Sequence, residues 1–188
     1  IALKKIVIGF DFCFGKNRKY CIDELKKIFD GEVQVISEIK FDEYPIHSRH
    51  IREFIKDGNI KKANKFLGKE YKIYGTAIKG QGLGKSDFVP TINLRIDDFL
   101  LPKDGVYISK TTIDSIEYNS VSFIGNRKTT DDTFAIETHI LDKSIDFNNL
   151  NISIKFVERI RDNKKFNDFI ELKNQILNDI DTAKKYFY

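Results

Sequence analysis

GQGLGKSDFVPTINL, residues 80–94, decides how this chain reads. It places three of the eleven glycines within five positions and carries one of the three prolines. Its middle, Gly84-Lys85-Ser86, looks like the tail of a phosphate-binding P-loop. That loop requires a glycine, four residues, then Gly-Lys-Ser/Thr, set between a strand and a helix. Here Lys79 stands where the first glycine belongs, and Gly80 is one position too close. The residues after Ser86 do not start a helix either. Phe88-Val89-Pro90-Thr91-Ile92 is aromatic and β-branched, and Pro90 pushes Val89 towards an extended backbone. Gly80, Gly82 and Gly84 can therefore wrap a phosphate only on a β-type scaffold.

The sequence downstream supplies that scaffold. Strands are expected at 71–79, 91–96, 105–113, 116–124, 133–141 and 151–160, separated by turn signals such as Pro102-Lys103-Asp104-Gly105 and Gly125-Asn126. Short strands at this spacing favour a closed or nearly closed antiparallel barrel. A last helix comes after them, capped by Asn167 or Asp168, with Phe169, Leu172, Ile176, Ile180 and Ala183 on one stripe. Upstream the texture differs. Residues 5–10 and 33–39 read as strands, and 21–29 as a helix with Ile22, Leu25, Ile28 and Phe29 on one face. Ser48 and Asn59 cap two further helices that end at Gly58 and Gly68. This alternation suggests part of an α/β layer, since two strands and three short helices cannot cover both faces of a parallel sheet. The expected domains are thus 1–68 and 69–188.

Bulk properties narrow the classes. The 188 residues are 41% hydrophobic and 32% charged, an ordinary globular composition. No apolar run approaches the ~18 residues needed to span a bilayer, which argues against a membrane role. The net charge of +4, from 32 basic and 28 acidic residues, is mixed along the chain and argues against a nucleic-acid partner. Cys13 and Cys21, the two cysteines, suggest no disulfide scaffold and fit a reducing compartment, the cytoplasm. The chain starts at Ile1 and contains no methionine, so a piece of a longer protein is expected.

Three clusters could carry chemistry. The glycines lead into Thr91 and Asn93, a hydroxyl and a carboxamide two apart on a strand, and both suit a hard cation such as Mg²⁺. The ordinary alternative is a flexible hairpin loop before a polar strand edge. Glu137 shares a strand face with His139 and Leu141, opposite Ile136, Thr138 and Ile140. Between apolar neighbours its carboxyl would have a raised pKa and could serve as a general base; otherwise it simply faces solvent. His139 has no His or Cys at ligand spacing. Arg161 and Phe166 lie between the last strand and the final helix, where they could clamp a flat or charged ligand or form a solvated connector.

Taken together, residues 69–187 resemble the riboflavin kinase domain of bacterial bifunctional riboflavin kinase/FAD synthetases. The resemblance rests on Pro90-Thr91-Ile92-Asn93, Leu101-Pro102-Lys103-Asp104-Gly105-Val106-Tyr107, Ile124-Gly125-Asn126-Arg127, Glu137-Thr138-His139-Ile140-Leu141, and Arg161 with Phe166. Gly9-Phe10-Asp11-Phe12-Cys13-Phe14-Gly15 and Ile46-His47-Ser48-Arg49-His50-Ile51-Arg52 resemble the adenylyltransferase domain of the same proteins, with His50 in place of an arginine. Phe88-Val89 replaces the kinase family's Gly-Phe, and Asn163 an acidic residue.

This resemblance implies an α+β fold: a six-stranded Greek-key-like antiparallel barrel of riboflavin kinase type with a C-terminal helix, after a partial Rossmann-like nucleotidyltransferase segment. It implies ATP- and Mg²⁺-dependent phosphorylation of the riboflavin 5′-hydroxyl, with FMN and ADP as products. Gly80, Gly82, Gly84 and Asn93 would bind phosphate, Thr91 and Asn93 the metal, and Arg161 and Phe166 the flavin, with Glu137 as base. The longer protein would also adenylate FMN to FAD, and this piece, which lacks the HxGH-type motif, would not. The competing readings are a flavin- or oligonucleotide-binding barrel without turnover, from which ATP consumption separates the kinase.

Overall fold

A computed structural model describes residues 3–78, 89–96, 98–143 and 151–188. The chain forms two compact units, Ile1–His47 and Ser48–Tyr188. The sequence texture changes near residue 68, whereas the compact units divide at 47/48, because the two helices after His47 pack on the barrel.

In the first unit, β1 (Lys5–Gly9) pairs in parallel with β2 (Glu32–Ile36), and α1 (Ile22–Ile28) connects them. A capping box starts α1, with the Cys21 N–H donating to Glu24 Oε2 at 3.0 Å. Ile28, expected on the buried face of this helix, is 72% exposed. A short hairpin of β3 (Lys40–Phe41) and β4 (Tyr44–Pro45) completes the unit. Cys13 and Cys21, expected as unpaired thiols, form a disulfide with Cα atoms 4.1 Å apart. The cause is local. Gly15 turns the chain at φ 77°, and Phe14 and Tyr20 exchange backbone hydrogen bonds of 2.7 and 3.1 Å. Their outer neighbours are the two cysteines, which this pairing brings face to face.

The second unit opens with α2 (Ser48–Lys56) and α3 (Ile60–Leu67). The Asn59 side chain caps α3 by accepting from the Lys62 N–H, and Gly68 ends it in the left-handed conformation. The helices join through the Phe54 and Phe66 rings, whose centroids are 5.2 Å apart. The Asn64 amide donates to the Phe156 carbonyl at 2.8 Å, and its oxygen accepts from the Tyr71 N–H at 2.7 Å.

All six expected barrel strands form: β5 (Tyr71–Ile78), β6 (Ile92–Arg95), β7 (Gly105–Ile113), β8 (Ile116–Asn126), β9 (Phe134–Ile140) and β10 (Asn151–Arg161). They close in the order β10-β5-β6-β9-β8-β7, and every pairing is antiparallel. The strands β7, β8 and β9 are sequential neighbours. Both β6 and β10 reach this meander from outside its run, which is Greek-key connectivity. Closure leaves no unpaired edge.

Alternation along each strand separates two cores. Inside the barrel lie Ile73, Ile124, Ile154 and Phe156, joined by Ile60 from α3. Outside, Val106, Ile108, Val121 and Val157 pack beneath Ile180 and Ala183 of α4 (Phe169–Phe187). Asp168 caps α4, accepting from the Glu171 N–H at 2.7 Å. Phe169, expected on the buried stripe of this helix, is 53% exposed. The barrel interior also holds a cluster of five hydroxyls that carry no exposed surface: Ser109, Thr111, Ser120, Ser122 and Thr138. They bond to one another at 2.7–3.0 Å, so each of these five buried hydroxyls has a partner.

Candidate active site

The pairing of β6 with β9 is short and places Asn93 opposite Glu137 and Ile92 opposite Thr138. On β9 the interior residues Ile136, Thr138 and Ile140 are buried, while Glu137 and His139 are half-buried on the other face. This is the alternation expected from the sequence.

The surroundings of Glu137 differ from that expectation. Its neighbour is a guanidinium, not apolar surface. Arg127 Nε donates to Glu137 Oε1 at 2.7 Å, and Arg127 Nη2 donates to Asn93 Oδ1 at 2.6 Å. Arg127 Nη1 donates to Thr133 Oγ1 at 3.0 Å and lies 3.5 Å from Asp131 Oδ2. Reading one strand at a time misses this, because Arg127 lies after β8 and ten residues from Glu137. It was visible only as the arginine of Ile124-Gly125-Asn126-Arg127.

His139 faces the same seam, with Nδ1 2.8 Å from the Pro90 carbonyl, to which its N–H donates. Burial pulls its pKa below the ordinary histidine value, and the Pro90 hydrogen bond opposes this in part. Asp131 is held below the usual aspartate range, chiefly by the Thr133 hydroxyl, which donates to it at 2.8 Å. Thr91 is exposed immediately before β6. Gly80, Gly82 and Gly84 lie outside the described residues.

Arg161 and Phe166 meet, with the guanidinium carbon 5.7 Å from the ring centroid. Arg161 also grips Asp179 of α4, from Nε at 2.9 and 3.0 Å and from Nη2 at 2.7 Å. Phe166 is only 5% exposed. The loop carrying it is tied to the Arg127 hairpin at two points. Asn163 Nδ2 donates to the Asn126 carbonyl at 2.8 Å, and the Phe166 N–H to Thr129 Oγ1 at 3.1 Å. One end of the barrel thus gathers a carboxylate, a carboxamide, a guanidinium and an aromatic loop.

Residues 67–187 match the riboflavin kinase (flavokinase) family. The chain belongs to that family. It is also similar to proteins named bifunctional riboflavin kinase/FMN adenylyltransferase. That of Haemophilus influenzae is 33% identical over 192 residues, covering 100% of this chain and 62% of the relative. That of Bacillus subtilis is 31% identical over 194 residues, covering 100% and 61%. The chain therefore spans about three-fifths of the length of these curated relatives. A Streptococcus pneumoniae crystal structure described as a macrolide-efflux protein superposes with a TM-score of 0.83 at 32% identity. It covers 95% of this chain, which covers 60% of it. Within the riboflavin kinase family's stretch lie all the site residues above, from Thr91 to Asp179.

Proposed function

We propose that this chain transfers the γ-phosphoryl group of ATP to the 5′-hydroxyl of riboflavin, giving FMN and ADP, with Glu137 as the general base. The observation that carries the reading is the Asn93–Glu137 pair across β6 and β9, held by one guanidinium on the outer face of a riboflavin kinase barrel.

The hydroxyl oxygen attacks the γ-phosphorus, the bond to the β-phosphate oxygen breaks, and the hydroxyl proton passes to Glu137. Phosphoryl transfer depends on positioning and charge neutralisation more than on covalent chemistry. Arg127 occupies Glu137 Oε1, which leaves Oε2 to take the proton. Gly80, Gly82 and Gly84 would surround the phosphates through backbone N–H groups. Arg161 and Phe166 would order the loop beside the flavin.

The donor set suits Mg²⁺ held mainly by substrate phosphates. Such sites need one or two oxygen ligands from the protein. No group of three His, Cys, Asp or Glu residues among the described residues could hold a metal alone. Thr91 offers an exposed hydroxyl. Asn93 offers an oxygen that already accepts from Arg127, so it supports the metal–phosphate assembly more readily than it ligates directly. When bound, the cation would neutralise charge developing on the phosphates.

The proposed division is residues 1–68 as the end of an FMN adenylyltransferase domain and 69–188 as the kinase. The longer protein would make both FMN and FAD, in the cytoplasm. The first test is chromatographic detection of FMN from riboflavin, ATP and Mg²⁺. Glu137→Gln should lose about 10²–10⁴-fold in kcat. Wild-type protein that is folded and makes no FMN would overturn the proposal, and an undiminished Glu137→Gln would remove Glu137 as base.

A further inference from the structure

We infer that Arg127 is the positioning residue of this site, acting through Glu137. The inference rests on the kinase reading above and adds a residue to it. Three features carry it.

The first is the number of partners on one planar group. Arg127 reaches a carboxylate on β9, a carboxamide on β6 and a hydroxyl beyond the turn, each from a different nitrogen. A guanidinium presents donors in a rigid fork, whereas a lysine ammonium is a single point on a flexible stem. Arg127 therefore sets the orientation of Glu137 relative to β6, which the backbone pairing alone does not determine.

The second is that Arg127 is itself anchored. Its N–H donates to the Thr133 carbonyl at 2.9 Å, and its carbonyl accepts from the N–H groups of Thr130 at 2.9 Å and Asp132 at 3.2 Å. Asp131 lies 3.5 Å from Nη1, a different nitrogen from the one that meets Glu137, and its carboxylate is fixed by Thr133. An arginine drawn towards two carboxylates and tied at its backbone is built into the site. It is not a temporary occupant waiting for a metal.

The third is location. The hairpin that carries Arg127 is bonded to the Asn163–Phe166 loop through Asn126 and Thr129. A shift of this hairpin would disturb the base and the proposed flavin loop together.

The test is a kinetic double-mutant cycle on the full chain, with FMN formation as readout and thermal melting as a folding control. Arg127→Ala should lower kcat by about 10²-fold, the effect of roughly an ångström of misplacement in a reacting group. In the Glu137→Gln background the same change should cost less than about threefold, because groups that act as a unit are not additive. Arg127→Lys should recover little of the loss, and it decides the matter should the alanine variant fail to fold. Equal losses in both backgrounds, or a kcat for Arg127→Ala within about threefold of wild type, would overturn the inference while leaving the kinase reading intact. A tighter apparent Mg²⁺ or ATP constant in Arg127→Ala would also overturn it, since the guanidinium would then be competing with the cation. Absence of FMN from the wild type would overturn both.

Discussion

Asp179 is 3% exposed on α4, and its carboxylate takes three hydrogen bonds from Arg161 at the end of β10. Gln175 Nε2 adds a fourth at 3.0 Å. Asp179→Ala removes all four and leaves a guanidinium whose side chain is only 19% exposed without its counter-charge. Breaking a fully buried pair from one side costs about 3–5 kcal/mol. Arg161 retains some access to water and a 3.0 Å bond to the Asp162 carbonyl, so the expected cost is about 3 kcal/mol. For a chain of this length each kcal/mol moves the midpoint about 2–4 °C, so melting should fall by about 6–12 °C. The assay is thermal unfolding followed by β-sheet circular dichroism. It is paired with Arg161→Met and with the double variant Arg161→Met/Asp179→Leu. The double variant should recover most of the loss, because replacing both charges by apolar groups removes the stranded ion. The reasoning is refuted if Asp179→Ala melts with the wild type, or if it costs as much in the Arg161→Met background as alone.

Buried polar groups give two further expected outcomes. Thr138→Val keeps the shape of the side chain but removes the hydroxyl that meets Thr111 at 2.9 Å and Ser122 at 3.0 Å inside the barrel. It should lower stability by about 1–3 kcal/mol in urea titration, and an unchanged midpoint would show that the remaining hydroxyls re-pair without cost. The second outcome concerns His139. Because its folded-state pKa is depressed by burial, the unfolded chain binds more protons as the pH falls. Its contribution to stability is complete above about pH 6.5 and is lost on acidification below that. Melting temperature measured from about pH 7.5 to 5.5 should fall less steeply in His139→Asn than in the wild type, and parallel curves would exclude the histidine as the cause.

The barrel was legible because its signals are local. Gly105 and Ile113 bound β7 as expected, and β8 and β10 differ from their expected ends by two residues and one. Period-two alternation, with Pro102-Lys103-Asp104-Gly105 and Asp114-Ser115 as turns, needs no partner strand to be read. Asn93 and Glu137 were singled out for chemistry separately, but nothing local says that they are register partners. That depends on how β6 slides along β9, and on Arg127 arriving from β8.

What the sequence by itself determined about this protein is the order and kind of its longer elements, without the β3–β4 hairpin, its two textures, and its place in the riboflavin kinase family through motifs spread over residues 90–166. Each depends on propensity, pattern or short-range spacing, which act within a few residues. Tertiary structure alone decided which side chains meet. It turned Glu137 from a carboxylate among apolar neighbours into an ion-paired one and tied Arg161 to Asp179, eighteen residues away on α4. It moved the helices at 48–67 onto the barrel. These contacts join groups brought within a few ångströms by chain closure. Their energies depend on distance and burial, quantities that no single stretch of sequence carries.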